Sequence, residues 1–211
     1  YFRFTAENLG GFSHNETKVK HVDTIKNKKM IKKITLIILL IQSFTMSAQE
    51  KDPWTVYMTP SSIHQLFGKY EGEFQMEIEM NGLNEPVLIS SSHKMILGGR
   101  FLELKQKGKM MGMDYESIYT IGYNTIDSTI SMTTITNMGT GTLSLLGDWD
   151  EKTKTANLFG QLTNPVTKGI IKVRQTLTFL DNNTILIESY DTEGDKPEKK
   201  TVKYKFIRLQ K

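Results

Sequence analysis

Phe74-Gln75-Met76-Glu77-Ile78-Glu79-Met80 is followed at once by Asn81-Gly82. Apolar side chains hold every second position, and Gln or Glu hold the others. Successive side chains of an extended strand point to opposite faces, so this segment has one dry face and one wet face. A helix would scatter the same residues around its axis. Asn-Gly suits a two-residue turn that needs positive φ at both central positions, the turn of a β-hairpin. A strand with one buried face that reverses sharply belongs to an antiparallel sheet.

The same pattern continues to the C-terminus. Val87–Leu97, Phe101–Lys107, Met113–Tyr123, Ile130–Thr136, Thr142–Trp149, Thr155–Leu162, Ile170–Leu180, Ile185–Tyr190 and Val202–Leu209 are rich in β-branched and aromatic residues. Gly98-Gly99, Asp150–Lys154, Asn164-Pro165, Asp181–Asn183 and Gly194-Asp195 punctuate them as turns. About ten strands with short connections predict an up-and-down antiparallel meander. Ten twisted strands tend to curl, and closure removes their unpaired edges, so the expected fold is all-β, a closed up-and-down barrel in preference to a sandwich. On the N-terminal side, Thr59-Pro60-Ser61-Ser62-Ile63-His64-Gln65-Leu66-Phe67 predicts one short helix. Thr59 is read as its cap, Pro60 as its first residue, and Ile63, Leu66 and Phe67 as its apolar stripe.

The charge balance of 27 Lys and Arg against 23 Asp and Glu is basic only because of the first 49 residues, which hold eight of the former and three of the latter. The remaining 19 against 20 give no electrostatic reason for nucleic-acid binding. Cysteine is absent, which excludes disulfides, thiolate catalysis and Cys-ligated metals. A domain of ~150 residues buries roughly 70% of its unfolded surface and can be stable on its core alone.

Met30 precedes Lys32-Lys33, the apolar run Ile34–Ile41, and Ser47-Ala48-Gln49. A positive segment, a short apolar segment and a small-residue cleavage zone predict a signal peptide over 30–49. The run is too short to span a bilayer, which takes about 20 residues. Residues 1–29 show no apolar period and are read as an upstream extension, not a native domain. The mature part is then a single domain over 50–211, secreted or periplasmic, with no transmembrane segment.

Met58-Thr59-Pro60, Ile63-His64, Leu97-Gly98-Gly99-Arg100-Phe101-Leu102-Glu103, Gly108–Met113, Gly122-Tyr123, Asn137-Met138-Gly139-Thr140-Gly141, Asn164-Pro165-Val166 and Val173-Arg174 together resemble a bacterial family catalogued as domain of unknown function 1579. The resemblance covers Trp54 to Arg208. It implies a lipocalin- or calycin-like barrel in an exported protein, and it implies no reaction.

Alternation assigns the inward side chains. Phe74, Met76 and Ile78 lead on the first strand, and Ser91, His93 and Met95 follow on the second. Arg100 is read as inward on the third with Leu102 and Leu104. Tyr115, Ser117 and Tyr119 line the fourth, Val173, Gln175 and Leu177 the Ile170–Leu180 strand, and Tyr204 and Phe206 the last. No carboxylate is expected inside, which removes paired-acid hydrolysis and hard-cation sites. Ser91 and His93 are spaced as a nucleophile and base, but no acid stands beside them. The thioethers of Met110, Met111 and Met113 suit copper(I), yet neither His nor Cys accompanies them, so packing is the reading. His64 is expected to face solvent on its helix. No cofactor or metal is predicted.

The expectation is therefore a barrel that binds a small, largely apolar or amphipathic ligand, with His93, Arg100, Tyr115, Tyr119, Gln175 and Met76 as contact residues and no catalytic residue. Two alternatives stand beside it. One is an envelope structural or interaction protein with a filled barrel. The other, less supported, is a hydrolase-type enzyme.

Overall fold

The computed structural model describes residues 52–210, together with Met30. Apart from Met30, the expected signal peptide and the upstream segment lie outside the described residues.

Two short helices precede the sheet, where one was expected. Helix α1 is Pro53–Met58, and Asp52 caps it by accepting the Thr55 amide at 2.9 Å. Helix α2 is Ser62–Gly68 with Ser61 as its N-cap residue. Thr59 does not cap α2. Its hydroxyl bonds back to the Thr55 carbonyl at 2.5 Å, and its main chain ends α1. Asp52-Pro53 was the earlier start signal, an acidic cap before a proline that fits the first helical turn.

Ten strands follow: β1 (Gly72–Met80), β2 (Val87–Ile96), β3 (Phe101–Met110), β4 (Met113–Tyr123), β5 (Thr129–Thr136), β6 (Leu143–Asp150), β7 (Thr155–Thr163), β8 (Ile170–Asp181), β9 (Thr184–Glu193) and β10 (Lys199–Arg208). Each pairs antiparallel with its neighbour in sequence, and β1 pairs with β10 from Phe74↔Arg208 to Met80↔Val202. The meander thus closes into a barrel and leaves no free edge.

The residues that alternate on β1 also sort by burial. Phe74 and Met76 are wholly buried, Ile78 nearly so, while Glu73 and Glu79 are exposed. Turn chemistry fixes the reversals. Leu97, Gly98 and Gly99 all take positive φ between β2 and β3, a conformation that glycine adopts without steric cost. Gly147 serves a different need. A Cβ there would lie 1.8 Å from the Asn157 carbonyl oxygen on β7, so only glycine lets β6 and β7 approach this closely.

Side chains from every strand fill the barrel. Phe74, Met76, Leu102, Leu104, Ile121, Ile130, Leu158, Leu177, Ile187 and Phe206 have no surface that water can reach. A void large enough for water would expose its lining, so the middle of the barrel is packed shut. On the outer face, cross-strand ion pairs such as Lys203–Glu79 and Lys107–Glu116, both 2.9 Å, line the wet side. Such exposed pairs are screened by water and contribute little to stability.

Candidate functional site

The two ends of the barrel differ. At one end α2 is laid across the opening. Phe67 stacks on Phe179 at 5.4 Å, Tyr70 leans on the same ring at 4.8 Å, and the Tyr70 hydroxyl donates to the Asp181 carbonyl. Burial pushes that phenol up to about 12, ahead of the smaller effect of Asp181. His64 belongs to this plug. It is 6% exposed, contrary to the solvent-facing position expected, because the helix turns it toward Tyr123 and Phe67. Its Nδ1 accepts the Ser61 amide at 2.9 Å. Burial and then the Arg100 charge hold its pKa below the ordinary value.

Arg100 is also at this end, and it does not face the interior. The Leu97–Gly99 turn ends β2 at Ile96, so Arg100 precedes β3 instead of continuing its alternation. Its guanidinium is exposed and donates to the carbonyls of Met58, Leu97 and Gly98. It clamps the end of α1 to the β2–β3 turn.

Just inside the plug lies a buried polar chain. Ser117 Oγ donates to Gln106 Oε1 at 2.7 Å, Gln106 Nε2 donates to Ser91 Oγ at 3.0 Å, and Ser91 Oγ meets His93 Nε2 at 2.9 Å. Ser91 Oγ thus bridges the Gln106 amide and the His93 ring. The buried His93 Nδ1 has no hydrogen-bond partner among the described residues. Phe74 stacks on the imidazole at 4.0 Å and Phe206 meets it edge-on at 5.5 Å. Burial is the main reason that the His93 pKa falls to about 3. The sequence reading placed Ser91 and His93 correctly on one inner face. It did not name Gln106, which the same alternation on β3 puts inside. The serine–histidine pair has nucleophile-to-base geometry, but no carboxylate orients the ring and packed aromatic rings cover it. Met76 is buried at the same depth beside Phe206 and Ile89.

The other end is built differently. Val87, Met110, Leu143, Leu162, Ile171 and Val202, from six different strands, point inward and stay half-buried. They form an apolar ring at this end, over which the described residues place no helix. Beneath it, three tyrosines converge. Tyr115 and Tyr119 are almost fully buried, and Tyr204 lies 6.2 Å from Tyr119 ring to ring. Burial raises the pKa of both Tyr119 and Tyr204; neighbouring tyrosines raise Tyr119 further, while for Tyr204 the effect of Tyr115 is opposed by a hydrogen bond with Tyr119, and both phenols remain neutral hydrogen-bonding groups. Gln175 lies on the opposite wall and donates to Ser189 Oγ at 3.1 Å. Its Oε1 has no partner, and neither does the buried Oγ1 of Thr134, the cross-strand neighbour of Tyr119.

This half also holds a carboxylate, which corrects the expectation of an acid-free interior. Strand β9 runs to Glu193, three residues beyond its expected end, and carries the face of Ile185, Ile187 and Ser189 on to Asp191. Asp191 pairs across the sheet with the buried Val173. It is half-buried, and desolvation raises its pKa against the opposing effect of Thr201. Glu193 has the same parity but leaves the barrel to hold Asn164 at 2.7 Å.

Two concavities lie on the outside of the barrel. One, of about 660 Å³, crosses the outer faces of β2 to β5 and includes Ile118, Ile135, Lys105 and Lys107. The other, of about 220 Å³, sits at the β1–β10 rim beside Met80 and Lys203. Among the described residues, no group of three His, Cys, Asp or Glu side chains is placed to hold a metal, and no helix is long and apolar enough to cross a membrane.

A ten-stranded, closed, antiparallel barrel with a helical plug at one end and an apolar ring at the other is lipocalin-like in architecture. The model of the family described as protein of unknown function (DUF1579) matches residues 59–208, and the chain belongs to that family. No curated protein matches the chain.

Proposed function

We propose that the mature chain is an exported binding protein that takes a small amphipathic molecule through the unplugged end of its barrel. The observation that carries this reading is the asymmetry of the ends. An aromatic helix closes one, while the other presents an apolar ring above unpartnered polar groups. Sites for small molecules combine an apolar lining with a few placed polar groups in this way. The ligand's polar head passes inward toward Tyr204, Gln175 and Asp191, and its apolar part rests in the ring. The packed middle limits the depth, so the molecule is short. Export rests on Lys32-Lys33, the Ile34–Ile41 run and Ser47-Ala48. Fold by itself assigns no function.

Native mass spectrometry on residues 50–211, exported to a bacterial periplasm and gently purified, tests it. The expected result is an added mass that is lost on unfolding and reduced by Leu162→Gln at the ring. A clean apoprotein mass from several growth media, with no saturable uptake of a fluorescent apolar dye, defeats the reading. A second reading, a filled barrel that acts through its outer surface, draws on the packed middle and on the 660 Å³ groove over β2 to β5. That apoprotein result favours it.

A further inference from the structure

The head group that suits this opening can be read from the charges that face it. With Arg100 outside at the plugged end, the buried residues among those described include no Lys or Arg. Arg208, the other guanidinium near the interior, is at the plugged end too. It donates to the carbonyls of Glu71, Lys69 and Asn182 and covers the Phe74 ring. The unplugged half instead holds acceptors. Gln175 is 4% exposed with Oε1 unpartnered, Thr134 Oγ1 is unpartnered, and Asp191 is the inward carboxylate diagonal to Gln175 across β8 and β9.

The lysines around the rim do not reverse this balance. Lys196 pairs with Glu193 at 3.0 Å, Lys203 with Glu79 at 2.9 Å, and Lys200 with Glu188. Lys199, the cross-strand neighbour of Asp191, and Lys168 and Lys172 at the same end are exposed to water and make no ion pair with it. An ammonium in water is screened, whereas a half-buried carboxylate acts through a lower dielectric.

We propose that the opening selects amphiphiles with an ammonium head, which Asp191 and Gln175 receive, over those with a carboxylate head. This rests on the ligand-binding reading above. A primary ammonium supplies three donors and a positive charge, and so matches the unpartnered Gln175 Oε1 and the Asp191 carboxylate. A carboxylate brings acceptors only and would meet Asp191 as a like charge.

Three probes of equal chain length decide it: octylammonium, octanol and octanoate, titrated into residues 50–211 at pH 7.5 by calorimetry. The expected order is ammonium, then alcohol, then carboxylate, with roughly tenfold or more between first and last. In Asp191→Asn, checked for fold by circular dichroism, the gap should close to about twofold. Octanoate binding as tightly as octylammonium overturns the proposal, and so does a preference that survives in Asp191→Asn. Equal binding of all three removes the head-group selection and leaves the binding reading intact. Saturable binding of none of them removes both. The order among probes in the wild-type protein is decisive even if the variant folds poorly.

Discussion

Lowering the pH from 7.5 to 5.0 should destabilise the barrel through one side chain, His93. Its imidazole is 4% exposed, sits against Phe74, and titrates near 3 in the folded chain against an ordinary 6.5. The unfolded chain therefore binds a proton that the folded chain refuses. Stability is full above pH 6.5 and is lost as the pH falls toward 3. At ~1.4 kcal/mol per pH unit, the loss is about 2 kcal/mol at pH 5.0 and at most about 5 kcal/mol at the bottom of the window. For a domain of this size, about 2 kcal/mol lowers Tm by roughly 4–8 °C. The other groups can be separated. His64 is shifted in the same direction, so His64→Gln is measured alongside. Exposed carboxylates with lowered values, such as Glu79 and Glu198, start from an ordinary 4.5 and act below this range. Asp191, raised by burial, opposes the loss as the pH nears its own titration. Thermal melts at the two pH values on wild type and His93→Gln provide the test, because glutamine can still bond Ser91. A wild-type difference under ~2 °C, or an equal slope in His93→Gln, refutes the assignment of the acid sensitivity to this histidine.

Gly147→Ala should prevent folding or lower Tm by more than ~10 °C in thermal melts, because its Cβ meets the Asn157 main chain, which cannot step aside. Gly139→Ala, with open space around it and no positive φ, should be near neutral in the same assay. Ser91→Ala strips Gln106 Nε2 of its acceptor in a buried site and should cost about 1–3 kcal/mol in urea unfolding. Phe67→Ala opens the plug against Phe179 and should cost about 3–5 kcal/mol, read by the same unfolding curves.

Strand alternation was legible because side chains in one sheet share a single buried face. Phe74, Met76, Ser91, His93, Tyr115, Tyr119 and Gln175 all lie inside as their positions predict. The misplaced residues are those where something other than period two decides. Arg100 follows three residues of positive φ, which break the phase between β2 and β3. Asp191 was missed because the apolar alternation stops at Tyr190 and the expected strand ends there, yet pairing of Thr192 with Lys172 and of Glu193 with Ile171 keeps the chain extended. His64 was misread because nothing in a seven-residue helix tells which side rests on a barrel end. That contact lies far away in sequence, at Tyr123.

The seam between β1 and β10 carries a consequence for how the molecule is made. Those two strands are the first and last of the barrel, so the ring cannot be completed until the final residues of the chain are available. Contacts this distant in sequence slow folding. Until they form, β1 and β9 each present a row of unbonded amides and carbonyls, the kind of edge that pairs with other chains. A truncation after Asp195 would hold the protein in that state permanently. It should collect in aggregates, whereas a circular permutant that joins the two ends across the seam and opens the chain at the exposed Gly139 turn should remain soluble.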